Sequence, residues 1–545
     1  MGRETNIRSI QALEEQIEEG KGDIIKLKRD RNSLLNISTR VPPEILGYIF
    51  VWVLGRDNTW SFGRPQKGCY DFLLVCHHWF DVASRTPELW SFWGNTLQDW
   101  KKRHHRSKTT PLDLVLDEHR YHPSTSFDEP LRDAIRSRVI QDTIRRVHLS
   151  SSGSDVLASV ILPLTPGDEG GHNENIESIV WDNQEFPDVD VSNFFARSWL
   201  SKLHILELFG TFRISSWDHL ASRTTLLTTL SLEVSPSPPS TTLTATRLFS
   251  ILTSNPNLRK LALSGAAIPD DIDRSASKVQ LRNLEFLSLE GEFLSVFGLL
   301  CHLVLPAAMD DICLDVFNPT VEDVSQILGP YMQDYFRRDP RFQDRLGVYS
   351  SSPSTSATVL VGVVHTQTTT PALGVPRVSL EVEFDLPHPD LLNQLFINLI
   401  ALVPLEHVGS FNADSRMKPS EELFSMMPRI ETLSISDVEL SEGFLQPNPG
   451  GPYANMKLLP SLRLLRLEDV SFLNNDDWGH LTAYLVHQTS DSQAISLEVV
   501  GDFAHICPEA VKKIEDLVEK VTYVPKFRNG RMSGDVLVPD ATNFG

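Results

Sequence analysis

Residues 73–79 read LLVCHHW, a cysteine and two histidines in consecutive positions, with a second cysteine, Cys69, just upstream. Thiolate and imidazole are ligands of zinc and partners in nucleophilic catalysis, so the cluster raises the question of a metal or a reactive thiol. A metal needs converging ligands. The apolar residues of DFLLVCHHWFDVASR (71–85) predict one helix, and consecutive helical positions turn by about 100°, which sends Cys76, His77 and His78 in three directions. His77 and Asp81 share a face, yet two ligands without a third make a weak site. DEHRYH (117–122) sets two histidines three apart beside carboxylates, a pattern that suits a solvated turn better than a metal.

Other chemistry lacks its anchor. No GxxxxGK[ST], GxGxxG, GxSxG or HExxH occurs, and PGDEGGH (166–172), with the outline of a serine-protease loop, has a glutamate where the nucleophile would stand. No base, nucleophile and oxyanion site can be assembled, so the chain is expected to be no enzyme and to carry neither cofactor nor metal.

Composition narrows the partners. The 545 residues are 41% hydrophobic and 22% charged, which suits a globular protein with a large core. A net charge of −21 repels phosphate backbones and anionic lipid, arguing against nucleic acid and membrane as partners. The basic run KKRHHRSK (101–108) is expected to be a solvated linker, with nuclear localisation left open. Five scattered cysteines argue for a reducing compartment. No apolar signal core opens the chain, and the longest apolar stretch, 297–309, is interrupted by His302 and Pro306, so a cytoplasmic or nuclear location is expected.

Certain elements must position the N-terminal residues. Ile10, Leu13, Ile17, Ile24, Leu27 and Leu34 keep heptad spacing, predicting an amphipathic helix that either pairs as a short coiled coil or docks on the next module. Pro42 and Pro43 end it and open a second helix, in which Glu44 complements the dipole. That helix, VPPEILGYIFVWVL, is apolar at 45, 46, 49, 50, 53 and 54 and again at Val51 and Trp52. A helix apolar all round must be covered all round, so one face is expected to belong to a partner. In 71–85 the stripe Phe72, Val75, Cys76, Trp79, Phe80 and Ala83 is expected to pack, leaving His77 and His78 on the surface.

Taken together, Val41-Pro42-Pro43-Glu44-Ile45-Leu46, Ile49-Phe50, Val75-Cys76, Trp79, Val82-Ala83 and Pro87-Glu88-Leu89-Trp90 resemble an F-box, whose pattern runs LPxELLxxIF, then VCxxW, then LW. Val41 stands for the usual leucine, and the connection 55–70 is longer than usual. Such modules, with a heptad-like helix in front, resemble those of large families in mushroom-forming fungi. The resemblance implies docking on a Skp-type adaptor and, through it, on a cullin. It assigns adaptor binding to Pro42, Pro43, Glu44, Ile45, Leu46, Ile49, Phe50, Val75, Cys76, Trp79, Leu89 and Trp90, some of which must be internal core.

Beyond residue 110 the chain repeats itself. Leu203-x-x-Leu206-x-Leu208 recurs with the same offsets from Leu227, Leu258, Leu284, Met309, Ile430 and Leu462, with weaker copies from Ile144 and Ile176. Helical text precedes several copies (129–143, 245–257, 418–429). The pattern is similar to leucine-rich repeats, LxxLxLxxNxL. Ile268, Leu294, Leu440 and Phe472 supply the tenth-offset apolar residue, while Ala266, Glu292, Val438 and Val470 replace the asparagine. An irregular parallel-stranded horseshoe is expected, with Ser288, Glu290, Ser434, Ser436, Arg466 and Glu468 on its concave side. Runs 235–246 and 350–358 read as loops, 320–404 as a blurred region of helices and strands, and 506–521 as a capping helix.

The expected fold is therefore α/β: an N-terminal amphipathic helix (1–36), a small all-α F-box (37–95), a basic linker (96–110), a leucine-rich-repeat-like solenoid (111–522) and a tail (523–545). The expected function is a non-catalytic substrate receptor of an SCF-type cullin-RING ubiquitin ligase, binding an unknown protein substrate. The alternative is an F-box scaffold acting outside a ligase.

Overall fold

The computed structural model describes residues 20–21, 23–24, 26–28, 41–56, 71–93, 105–107, 110–117, 144–150, 175–183, 189–190, 195, 201–210, 212–214, 217–234, 243–272, 277–307, 309–317, 324–338, 346–351, 356–363, 377–383, 404–414, 424–436, 459–468, 482, 485–486, 495–501, 512 and 514–525. The chain forms two compact units, Met1–Leu227 and Thr228–Gly545. Each is α/β with predominantly parallel strands. Among the described residues no helix is long and apolar enough to cross a membrane.

The first unit opens with helices: α1 (Pro43–Arg56), a 3-10 turn (Asp71–Leu74), α2 (His77–Arg85) and a second 3-10 turn (Pro87–Trp90). Strands β1 (Phe92–Trp93), β2 (Leu112–Asp117), β3 (Ile144–Ser150), β4 (Ser178–Asn183) and β6 (Ile205–Gly210) then pair in parallel in that order. A short pair, β5 (Val189–Asp190) with β7 (Phe212–Arg213), and α3 (Asp218–Arg223) complete it. Alternation sets the register: Leu114, Val147, Ile179 and Leu206 are partners on successive strands, and all four are buried. The weak copies from Ile144 and Ile176 are thus strands of the same kind.

The second unit contains β8 (Thr229–Val234), α4 (Ala245–Ser254), β9 (Lys260–Gly265), β10 (Val279–Gln280), β11 (Phe286–Glu292), α5 (Phe293–His302), β12 (Leu303–Val304), β13 (Asp311–Phe317) and α6 (Gly329–Arg338). There follow β14 (Leu346–Ser351), β15 (Ser356–Val363), β16 (Arg377–Glu383), β17 (Val408–Asp414), β18 (Thr432–Ser436), β19 (Leu464–Glu468), β20 (Ser496–Gly501) and β21 (Lys520–Pro525). Its sheet runs β8-β9-β11-β13-β16-β15-β14-β17-β18-β19-β20-β21. Among the described residues only the β15 pairings are antiparallel.

The repeated text produces this ladder physically. Leu230, Leu261, Leu287 and Ile312 form one buried row, and Leu232, Leu263, Leu289 and Leu314 a second. Each such side chain contributes about 1.5–3 kcal/mol by leaving water. Strand entry repeats too. The amides of Arg259 and Lys260 both donate to the Thr228 carbonyl, those of Glu285 and Phe286 to Arg259, and those of Asp310 and Asp311 to Glu285. Bridging the entry turns, Arg259 Nε donates to Glu285 Oε1 at 2.9 Å.

Several expectations need correction. Residues 71–85 are a 3-10 turn and a separate helix, because Cys76 is extended (φ −162°, ψ 167°) and starts α2 as its N-cap. Leu294 is 69% exposed: β11 passes directly into α5, and Phe293 turns inward in its place. Ser434, expected on the concave side, is buried. The 350–358 run contributes both its ends to strands β14 and β15. The capping-helix segment ends in β21, which also crosses the boundary expected at 522, since pairing with β20 satisfies its backbone. The helix expected at 129–143, residues 391–402 of the blurred region, the clusters 118–122 and 166–172, Leu440, Phe472 and most of 1–36 lie outside the described residues.

Candidate docking surface

Helix α1 starts where its prolines dictate. Pro43 is its first residue, Glu44 stands in its first turn, and the Pro42 carbonyl accepts the Leu46 amide at 3.0 Å. Leu46 and Phe50, four apart on one face, are 3% and 2% exposed. They form a small core with Val82 and Ala83 of α2 and with Leu89 and Trp90, flanked by Val41, Val51, Leu73 and Trp79. Phe50 and Trp79 lie 5.1 Å apart, ring to ring. Trp90 Nε1 donates to the Ala83 carbonyl at 2.8 Å, so the indole is buried without an orphaned donor.

Two contacts set the packing. A Cβ on Gly47 would lie 2.7 Å from Thr86 Oγ1, and that hydroxyl already donates to the Val82 carbonyl at 2.9 Å, so the glycine permits the close approach of α1. Arg106, inside the expected solvated linker, holds its guanidinium 4.3 Å from the Trp90 ring centre. The linker is docked at this point.

The other side of α1 is uncovered. Ile45, Tyr48, Ile49, Trp52 and Val53 are 42–71% exposed, and their spacing of three and four makes them one stripe. Leu74, Val75 and Phe80 are exposed as well. The twelve assigned residues therefore divide: Pro42, Pro43, Glu44, Ile45, Ile49 and Val75 are open, Leu46, Phe50, Leu89 and Trp90 are core, and Cys76 and Trp79 are half-buried. Tyr48, Trp52, Val53, Leu74 and Phe80 were not assigned. The two-sided apolar text of α1 carried the signal for Trp52, whereas Phe80, expected with Val75 on the packing stripe, is 41% exposed.

The break before α2 settles the geometry of the cysteine–histidine cluster. Cys76 Sγ accepts the Trp79 amide at 3.5 Å, which makes it a helix cap. His77 Nδ1 meets Asp81 Oδ2 at 2.8 Å, so the two residues that might have shared a ligand engage each other. His78 is half-buried, against expectation. Among the described residues no three His, Cys, Asp or Glu side chains gather as a metal centre requires. What this arrangement offers chemically is apolar area beside a preformed helix, the basis of groove recognition. No protein-family model and no curated protein matches the chain.

Proposed function

We propose that this chain is the substrate receptor of an SCF-type cullin-RING ubiquitin ligase. Its N-terminal helices act as an F-box that docks on a Skp-type adaptor, and its LxxLxL strands act as an irregular leucine-rich-repeat-like solenoid that holds a target protein. The observation that carries this reading is α1, which spends Leu46 and Phe50 on its own core and keeps Ile45, Tyr48, Ile49, Trp52 and Val53 in water. An apolar stripe of that kind suits insertion into a partner's groove. The receptor performs no bond chemistry; it raises the effective concentration of target lysines at a charged ubiquitin-carrying enzyme. A short joint favours such positioning: the Asp113 amide donates to the Ser91 carbonyl at 2.9 Å, and β1 pairs with β2 immediately after the helices.

Co-purification tests the proposal. Wild type is expected to retain Skp and cullin, whereas Ile45→Arg with Ile49→Arg retains neither and keeps its circular dichroism spectrum. One buried charge at such an anchor costs about 2–5 kcal/mol of binding. Adaptor without cullin would favour a scaffold acting outside a ligase, and a wild type that retains no adaptor would refute the docking role.

A further inference from the structure

The turns that lead into β8, β9 and β11 enclose a cleft of about 510 Å³, lined by Thr228, Asn257, Arg259, Arg282, Asn283 and Glu285. That volume lies within the range of small-ligand sites. Asn257 and Asn283 occupy the same position in successive copies of the repeat, two residues before Arg259 and Glu285.

Hydrogen bonds decide which amide atoms of the two asparagines are left for a ligand. Asn283 Nδ2 donates to the Pro256 carbonyl at 3.2 Å and to Asn257 Oδ1 at 3.4 Å. A carbonyl can only accept, so the atom of Asn283 that meets Pro256 must be its nitrogen. The same rung recurs later in the sheet, where Ser461 Oγ donates to the Pro428 carbonyl at 2.9 Å. Asn257 Nδ2 and Asn283 Oδ1 make no hydrogen bond among the described residues. They are one donor and one acceptor, the complement of the C=O and N–H of a peptide group.

The two arginines of the cleft differ. Arg259 Nε donates to Glu285 Oε1 at 2.9 Å, and the pair cancels its own charge. Arg282 Nε and Nη2 donate to Gln280 Oε1 at 3.1 and 2.8 Å, and among the described residues no carboxylate pairs with this guanidinium. A neutral amide thus holds Arg282 in place without cancelling its charge, and Nη1 is left for a further acceptor. The lining carries two arginines against one glutamate, a local positive excess in a chain of net charge −21.

We propose that this cleft binds an acidic peptide segment of the target, with an Asp or Glu side chain on Arg282 and a neighbouring peptide group on Asn257 and Asn283. One fixed cation suits one carboxylate, and the two amide atoms orient the backbone that carries it. Elsewhere the charge of the chain repels an acidic segment, so Arg282 selects where the segment lands. The inference rests on reading the second unit as the target-binding part of the proposed receptor.

The test is fluorescence anisotropy of a labelled, alternating Asp-Ser peptide titrated with the full chain at physiological ionic strength, beside an Asn-Ser peptide of equal length. The wild type is expected to bind Asp-Ser about fivefold more tightly, the size of a solvent-exposed charge-assisted contact. Arg282→Gln is expected to abolish that preference, and Asn257→Ala to weaken both peptides about threefold. Arg429→Gln removes the same charge from another exposed entry turn and is expected to change affinity less than about 1.5-fold. Arg282 and Asn257 are exposed, so both variants are expected to fold, with unchanged circular dichroism spectra. Equal weakening by Arg282→Gln and Arg429→Gln would reduce the effect to net charge and overturn the proposal, as would a wild type that binds neither peptide or binds both alike. Ile45→Arg is expected to keep full peptide affinity. A chain that binds peptide but no adaptor would sink the ligase reading alone; one that binds adaptor but no peptide would sink this inference alone.

Discussion

Helices α1 and α4 both have apolar residues to hide, and they hide different shares of them. In α4, Ala245, Leu248, Phe249, Ile251 and Leu252 are all buried, and its outward positions Thr246, Ser250 and Thr253 are polar. In α1, among the described side chains, Leu46 and Phe50 are the large apolar residues that are fully buried, and Ile45, Tyr48, Ile49, Trp52 and Val53 stay in water. One helix is finished by its own chain. The other carries a surplus that its small core cannot take up, and a surplus confined to one stripe is what a docking helix requires.

Substitutions can break this comparison. Leu46→Arg in α1 and Leu252→Arg in α4 each bury an unpaired charge, and thermal denaturation is expected to show losses of about 3–5 kcal/mol or failure to fold in both helices. Ile45→Arg, one residue from Leu46, is expected to change stability by no more than about 0.5 kcal/mol, because its side chain is already 53% exposed. Equal damage from Ile45→Arg and Leu46→Arg would erase the distinction between the two faces. Phe50→Ala removes the ring that meets Trp79 and should cost about 3–5 kcal/mol by chemical denaturation.

Smaller effects sharpen the comparison at the edge of the α1 core. Arg106→Gln removes the guanidinium from the Trp90 face and is expected to cost about 0.5–2 kcal/mol, with Arg106→Lys recovering part of it. The smallest effect concerns Asp113, which follows the joint to β1. Burial raises its carboxyl pKa, against the pull of Arg146 and Arg145. An acid with a raised folded pKa favours the fold below its unfolded pKa and loses that contribution as pH rises through the folded value. Asp113→Asn should therefore melt higher than wild type at pH 7, with the gap closing as the solution is acidified through that window. A gap that widened on acidification would show that the arginine pairings dominate.

How much of this was legible in the sequence varies with the range of the forces involved. The paired prolines fixed the start of α1 through backbone sterics alone, and Leu-x-x-Leu-x-Leu text marked strands whose registers then matched leucine to leucine. Periodicity could not divide α1, because both faces are apolar and only the packing of α2 and Trp90 selects Leu46 and Phe50. It also ran through Val75–Cys76 unchanged, hiding a break that depends on the Cys76 cap. Arg106 was read as solvated because a basic run carries no trace of the indole it covers. The candidate surface was therefore legible as a region, while its inner and outer residues were set by contacts distant in sequence.

The order of strands in the second unit has a kinetic consequence. Pairing of β8, β9, β11 and β13 links neighbours along the chain, so each new strand closes a short loop and can form early. The next partner of β13 is β16, which reaches it only after β14 and β15 have turned back on themselves. That out-of-order rung is where hydrogen exchange should reveal a seam, with the amides of β13 and β16 opening together while the rows of leucine on either side stay closed.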